Sequence, residues 1–156
     1  MSTPPLTERF WAKVNKTEDG CWMWTGAANQ FGYGICTIAR RQYVVHRIAY
    51  ATLVEPLRDG GYIDHMCHNR RCVNPAHLQQ VTNQQNVENR AGANANSTSG
   101  VRGVSWDKAR QSWSVNVKTR YVKRFGGRFH TLAEAEAAAI ALRNQLMTNN
   151  RSDWAL

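Results

Sequence analysis

Hydrophobic and polar positions follow different periods along this chain, and the changes of period divide it. Residues 6–14 (Leu-Thr-Glu-Arg-Phe-Trp-Ala-Lys-Val) predict a short helix with Thr7 as its N-cap. From Cys21 to Val45, Gly26, Gly32 and Gly34 punctuate short runs of Trp, Tyr, Ile and Val, which predicts hairpin strands. His46 to Leu53 predicts a helix, with Ala49 and Leu53 four apart; Glu55-Pro56 ends it. Residues 60–82 are too polar to be a core alone, since Ile63, Val73, Leu78 and Val81 are their only large aliphatics. They predict two short strand-like pieces around a long loop. Thr82 then caps a helix from about Asn83 to Arg90.

Residues 91–99 (Ala-Gly-Ala-Asn-Ala-Asn-Ser-Thr-Ser) carry no large apolar side chain and predict a linker. A new pattern starts after Gly100. Val101–Trp106, Ser112–Thr119 and Tyr121–Phe129 predict three strands. The middle one alternates, with Trp113, Val115 and Val117 on one face and Ser114, Asn116 and Lys118 on the other. Thr131 and Glu134 have capping-box spacing and open an Ala-rich helix to about Met147, with Ala135, Ala139, Leu142 and Leu146 on one face. The expected division is therefore residues 1–90, a linker at 91–99, a second domain at 100–147 and a tail at 148–156. The fold class is α+β.

Charge sharpens this division. The chain has 20 Lys/Arg against 11 Asp/Glu, a formal net charge of +9, which points to an acidic partner. Residues 1–94 hold ten basic against seven acidic residues, a balance of +3; residues 95–156 hold ten against four, a balance of +6. Between Arg102 and Arg128 stand eight basic residues and one acid, Asp107. The second part is the stronger electrostatic footprint. No apolar stretch approaches membrane-spanning length, and Met1 is followed by Ser-Thr-Pro-Pro rather than a secretory signal pattern. Four cysteines could form two disulfides, but a reducing compartment with metal-bound thiolates is the better reading.

The chemistry concentrates in Asp64-His-Met-Cys-His-Asn-Arg-Arg-Cys-Val-Asn-Pro-Ala-His77. Cys67, Cys72 and His77 have C-x4-C-x4-H spacing, suited to three corners of a tetrahedral zinc. Cys21 is the choice for the fourth ligand, and Cys36, mid-strand between Ile35 and Thr37, is its competitor. His65 stands beside Asp64 and two residues before a ligand, where a neutral imidazole can take a proton from water. His68 is read as a solvated loop residue. His46 has no metal spacing and, followed by Arg47, is a candidate for facing DNA.

The motifs Cys21-Trp-Met-Trp-Thr-Gly26, Gly32-Tyr-Gly34, Val45-His-Arg47, Asp64-His65 and Cys72-Val-Asn-Pro-Ala-His-Leu78 resemble the HNH endonucleases, especially the phage and intron-encoded homing type. The zinc spacing is similar to that of the His-Cys box enzymes. The resemblance spans roughly residues 5 to 90 and implies a zinc-stabilised ββα-metal fold. It implies His65 as general base, Asp64 and Asn86 as ligands of one catalytic Mg²⁺ (Mn²⁺ may substitute), and Asn74 as the brace of the loop. It implies Cys21, Cys67, Cys72 and His77 as structural zinc ligands. Arg40 or Arg41 would match a phosphate-contacting arginine, and Arg70 and Arg71 join them as DNA contacts. No cysteine follows Cys72, whereas the His-Cys box enzymes hold a second zinc downstream.

Gly100-Val-Arg-Gly-Val-Ser-Trp106, Trp113, Phe125-Gly-Gly-Arg-Phe129 and Thr131-Leu-Ala-Glu-Ala-Glu136 resemble an AP2 domain. That resemblance implies a three-stranded sheet packed on one helix, with the sheet on duplex DNA and Arg102, Arg110, Lys118, Arg120 and Lys123 as contact candidates. Together the two imply a site-directed endonuclease that hydrolyses double-stranded DNA to a 5′-phosphate and a 3′-hydroxyl, as a monomer or homodimer, in the cytoplasm of a bacterial host if phage-encoded. The competing expectation is a non-catalytic, sequence-specific DNA-binding regulator on a degenerate HNH fold.

Overall fold

The computed structural model describes residues 6–119 and 121–150. The chain packs as two compact units, Met1–Asn83 and Gln84–Leu156. Among the described residues, no helix is long and apolar enough to cross a membrane.

The first unit is built from three separate antiparallel hairpins. A one-turn helix α1 (Glu8–Trp11) leads into β1 (Val14–Lys16), which pairs with β2 (Trp22–Trp24), Val14 facing Trp24. The sequence did not announce β1, because three residues in a polar stretch carry no readable alternation. β3 (Ile35–Ile38) pairs with β4 (Arg41–Val44), Ile38 facing Arg41. That register leaves a two-residue turn of Ala39 and Arg40, with φ of 47° and 62°. This left-handed geometry is normally given to Gly or Asn, so the tip carries strain. α2 (Val45–Leu53) follows directly. β5 (Tyr62–His65) then pairs with β6 (Leu78–Val81), and a short 3₁₀ turn at Pro75–His77 precedes β6.

Phe10, Trp24, Val45, Ala49 and Val73 form the main core of this unit, with Leu6, Val14, Trp22 and Cys36 against it. A smaller cluster joins Tyr50, Ile63 and Leu78. Gly34 is required where β3 begins, because a Cβ there would lie 2.6 Å from Val45 and 2.7 Å from the Trp24 ring. The core fixes how α2 meets the hairpins and so where His46 and His65 stand.

The second unit has one continuous sheet in the order β7 (Val104–Asp107), β8 (Ser112–Lys118), β9 (Lys123–Phe129), backed by α4 (Leu132–Leu146). Both halves of the Thr131–Glu134 capping box are made. Ala135 and Ala139 are fully buried against Val104 and Val115, so the small side chains let α4 sit close to the sheet, as the pattern expects. Val115 faces Gly127 while Asn116 faces Phe125, so Gly126 is a bulge residue. A Cβ at Gly126 would meet Val115 at 2.7 Å and Leu142 at 2.9 Å.

The contacts of this unit reach beyond residues 100–147. The helix α3 (Asn83–Glu88) lies almost wholly in it, and Thr148 and Asn149, from the segment read as a tail, bond to that helix. The buried Glu88 carboxylate accepts from the Thr148 amide (2.9 Å), the Thr148 hydroxyl (3.2 Å) and the Asn149 amide (3.3 Å). The segment read as a linker is also tied down, since the Ser99 hydroxyl donates to Val104 O at 2.7 Å and accepts from the Val101 amide. Arg143, on an α4 face where only apolar residues are expected, is buried and donates to Arg102 O. Most partners of these buried charges lie 41 to 61 positions away and leave no local signature.

Candidate functional site

Cys21, Cys67, Cys72 and His77 meet in the first unit. Their ligand atoms all lie within 4.8 Å of one another, and all four cysteines of the chain are free thiols. Nδ1 of His77 is 3.6 Å from the Cys21 sulfur and 3.7 Å from that of Cys72. A tetrahedral zinc, with bonds near 2.3 Å to sulfur and 2.0–2.1 Å to nitrogen, has S–N edges of about 3.5 Å. The four residues could therefore hold a metal ion, and their softness and spacing suit zinc. Cys36 takes no part, so the choice between Cys21 and Cys36 falls to Cys21.

Local bonds bring these ligands together. The Asp19 carboxylate accepts from the Cys21 amide at 3.0 Å and shapes the turn into β2. Asn74 donates from Nδ2 to Gly20 O at 2.7 Å while its Oδ1 accepts from the Ala76 amide at 3.0 Å. It thus ties the Cys21 turn to the His77 turn. The thiols interact strongly. Hydrogen bonding from Cys67, opposed by burial, holds the Cys72 thiol down at about 5, while its bond to Cys72 raises Cys67. Burial, with the charge of Cys72, pushes Cys21 up to about 11. Thiols this close raise one another's cost of ionisation, and a cation among them would relieve it.

His65 lies at the end of β5 and is buried. Its Nε2 is 3.1 Å from the carbonyl oxygen of Cys72. A carbonyl can only accept, so Nε2 carries the proton and Nδ1 is left as the basic nitrogen. Burial holds this imidazole below its usual range, offset by the Cys72 carbonyl, so it is neutral near pH 7. On the other side His65 packs against His46 (centroids 4.4 Å apart, planes at 68°) and Tyr33 (6.0 Å). His46 is itself buried, 5% exposed, and burial pushes it down to about 3. Arg47 donates to Gly61 O at 3.3 Å.

Asp64 is also buried, and its Oδ2 accepts from Gln79 across the hairpin at 3.2 Å. Adjacent residues of an extended strand project to opposite faces, so Asp64 and His65 leave β5 in different directions. Asn86 lies half-buried on α3 of the second unit. Of the arginines, Arg40 and Arg41 are exposed at the strained hairpin tip. Arg70 is exposed, donates to Phe31 O at 2.8 Å and lies 5.4 Å over the Tyr33 ring. Arg71 turns inward to Gly26 O at 2.8 Å.

In the second unit, Val115 and Val117 point to the helix, which puts Ser114, Asn116 and Lys118 on the other face. Their partners on β9 are Arg128, Phe125 and Lys123. Phe125 is 54% exposed, with the Arg128 guanidinium 4.9 Å over its ring. Asp107 pairs with Arg110 at 3.2 Å and Arg128 at 3.6 Å. Arg102 is spent inside, donating to Glu88 O at 2.8 Å and Arg90 O at 3.2 Å. Arg120 lies outside the described residues. Asn116, Phe125 and Arg128 share this face without having been among the candidate contacts, although carrying the alternation of β8 across to β9 places them there.

Residues 43–88 match the family of HNH endonucleases. The match takes in Asp64, His65, Cys67, Cys72, Asn74, His77 and Asn86, and leaves out Cys21 and the second sheet. Protein 2.8 of Escherichia phage T7 is 32% identical over 83 residues, covering 52% of this chain and 56% of that protein. Protein 7.7 of the same phage is 34% identical over 70 residues, 45% of this chain and 54% of that protein. The chain thus spans about half the length of the curated relatives it matches. No solved structure matches significantly.

Proposed function

We propose that this chain is a metal-dependent DNA endonuclease of the HNH type, with residues 1–90 as a zinc-stabilised ββα-metal domain and the sheet of 100–147 as an AP2-like reader of duplex DNA. The observation that carries the reading is the His65–Cys72 bond. It gives a buried, neutral histidine with a free Nδ1, within the stretch that matches the HNH family. The succession of β5, a cysteine-bearing loop, β6 and α3 supports it.

In this reading His65 takes a proton at Nδ1 from the water that attacks a phosphodiester. Asn74 and the four-residue cluster hold the loop that carries the Cys72 carbonyl. Asp64 offers a hard oxygen donor suited to Mg²⁺, with Mn²⁺ as substitute. When bound, that cation would supply positive charge for the phosphate and the departing 3′ oxygen, leaving a 5′-phosphate and a 3′-hydroxyl. Zinc is structural. Exposed Arg40, Arg41 and Arg70 would contact phosphate near the cut. Arg110, Lys118, Arg120 and Lys123, joined by Arg128, would hold the duplex at the reader. Arg71 and Arg102, both bonded inward, serve the fold. A site-directed, homing-type role follows from pairing one nuclease centre with one reader, as a monomer or homodimer.

The test is nicking of supercoiled plasmid carrying flanking sequence of the gene, in Mg²⁺, by wild type and His65→Ala. Nicking lost in the variant with binding retained supports the reading. Wild-type protein that binds this DNA and never nicks it would instead favour a non-catalytic DNA-binding regulator.

A further inference from the structure

His46 is a buried titratable side chain that the proposed reaction does not use. It projects from α2, is 5% exposed, and its Nδ1 has no hydrogen-bond partner among the described residues. A buried polar atom left without a partner costs stability, and an apolar side chain would avoid that cost. The imidazole is therefore expensive where it stands, and what it touches is His65.

The three rings of Tyr33, His46 and His65 make a triangle. Centroid separations are 4.4 Å between the histidines, 5.4 Å from Tyr33 to His46 and 6.0 Å from Tyr33 to His65. The shortest lies at the lower end for aromatic pairs, and two five-membered rings allow it. The His65 ring makes one hydrogen bond among the described residues, from Nε2 to Cys72 O. One bond anchors one nitrogen and leaves the ring free to swing about it, because the terminal torsion of histidine is broad. A flanking ring at 68° removes that freedom.

We propose that His46 is a positioning residue for His65: with Tyr33 it clamps the imidazole in the orientation that keeps Nε2 on the Cys72 carbonyl and leaves Nδ1 free for the proton. The inference rests on the reading of His65 as the general base. The clamp acts on the ring itself, so it is visible without any cleavage.

The experiment uses the full chain as wild type, His46→Ala and His46→Phe. Metal content, DNA affinity, the kcat and KM of plasmid nicking, and the ¹⁵N shifts of His65 are measured. Wild type should show one His65 tautomer, protonated on Nε2. His46→Ala should keep its metal and its KM, lose about 10-fold or more in kcat, and show averaged His65 nitrogen shifts. His46→Phe, which restores a ring beside His65, should recover most of both signals. The proposal is overturned if His46→Ala, with metal retained, leaves kcat and the shifts as in wild type. Mixed His65 tautomers in the wild type overturn it too, even if His46→Ala fails to fold. Continued nicking by His65→Ala would sink the general-base reading alone, because the ¹⁵N pattern judges the clamp separately.

Discussion

The unit ending at Asn83 and the unit beginning at Gln84 are of similar size and hold themselves together by different means. The first has three two-stranded hairpins and no continuous sheet. An isolated hairpin is marginal in water, so such a unit needs an external tie, and the Cys/His cluster reaches across it from Cys21 to His77. The second has a three-stranded sheet and a 15-residue capped helix joined by a conventional apolar core. It has no cysteine. The difference teaches a division of labour. On the proposed reading, chemistry would belong to polar loops gathered by a cluster of ligand residues, and the polyanion surface to a sheet with an apolar core.

Removing the tie tests that contrast most severely. Cys72→Ser, or a strong chelator, should abolish metal binding and the ordered amide spectrum of the first unit, because structural zinc in small domains is worth about 10–16 kcal/mol. Resonances of Val104, Val115 and Ala139 should persist; their loss would merge the two units into one cooperative fold. Next in size, His65→Ala should lower nicking by about 100-fold or more at unchanged DNA affinity, read by single-turnover cleavage beside a binding titration.

A matched pair of glycine substitutions probes each core alone. Gly34→Ala forces a methyl into Val45 and Trp24, and Gly126→Ala forces one into Val115 and Leu142. Each should cost about 1–3 kcal/mol in its own unit, read by hydrogen exchange, with metal content held by Gly126→Ala. The pH response is subtler. Burial keeps His46 neutral in the folded chain, down to about 3, while an unfolded histidine takes up its proton near 6.5. Stability from this group is full above the unfolded value and falls with pH below it. Between pH 6 and pH 5, wild type should lose about 1 kcal/mol more than His46→Phe, a comparison in which acid loss of the metal cancels. Smallest of all, Lys118→Ala and Lys123→Ala should each lower the salt dependence of DNA binding by about one counterion, with cleavage chemistry and metal content unchanged.

The sequence made the cluster legible because Cys67, Cys72 and His77 lie within eleven positions in a loop with no apolar reason to hold cysteine. The capping box and the alternation of β8 were legible for the same reason: their signals are local. The inward turn of Arg102, the burial of Glu88 and Arg143, and the packing of His46 on His65 were not. Each depends on a partner brought near by the fold, and a charged or titratable residue reads as surface until that partner is known. The opposite directions of Asp64 and His65 were hidden by their adjacency in sequence, which a strand converts into separation.

Cys72 serves two neighbourhoods at once. Its sulfur belongs to the ligand cluster and its carbonyl oxygen to the histidine. The chain has no slack between those two atoms, since both hang from one residue. An oxidant that consumes the thiols would therefore disturb the acceptor on which the His65 proton rests, and the damage would travel along the Sγ–Cβ–Cα–C–O bonds of one residue rather than through the body of the protein. Loss of the ligand cluster and loss of the base would be one event.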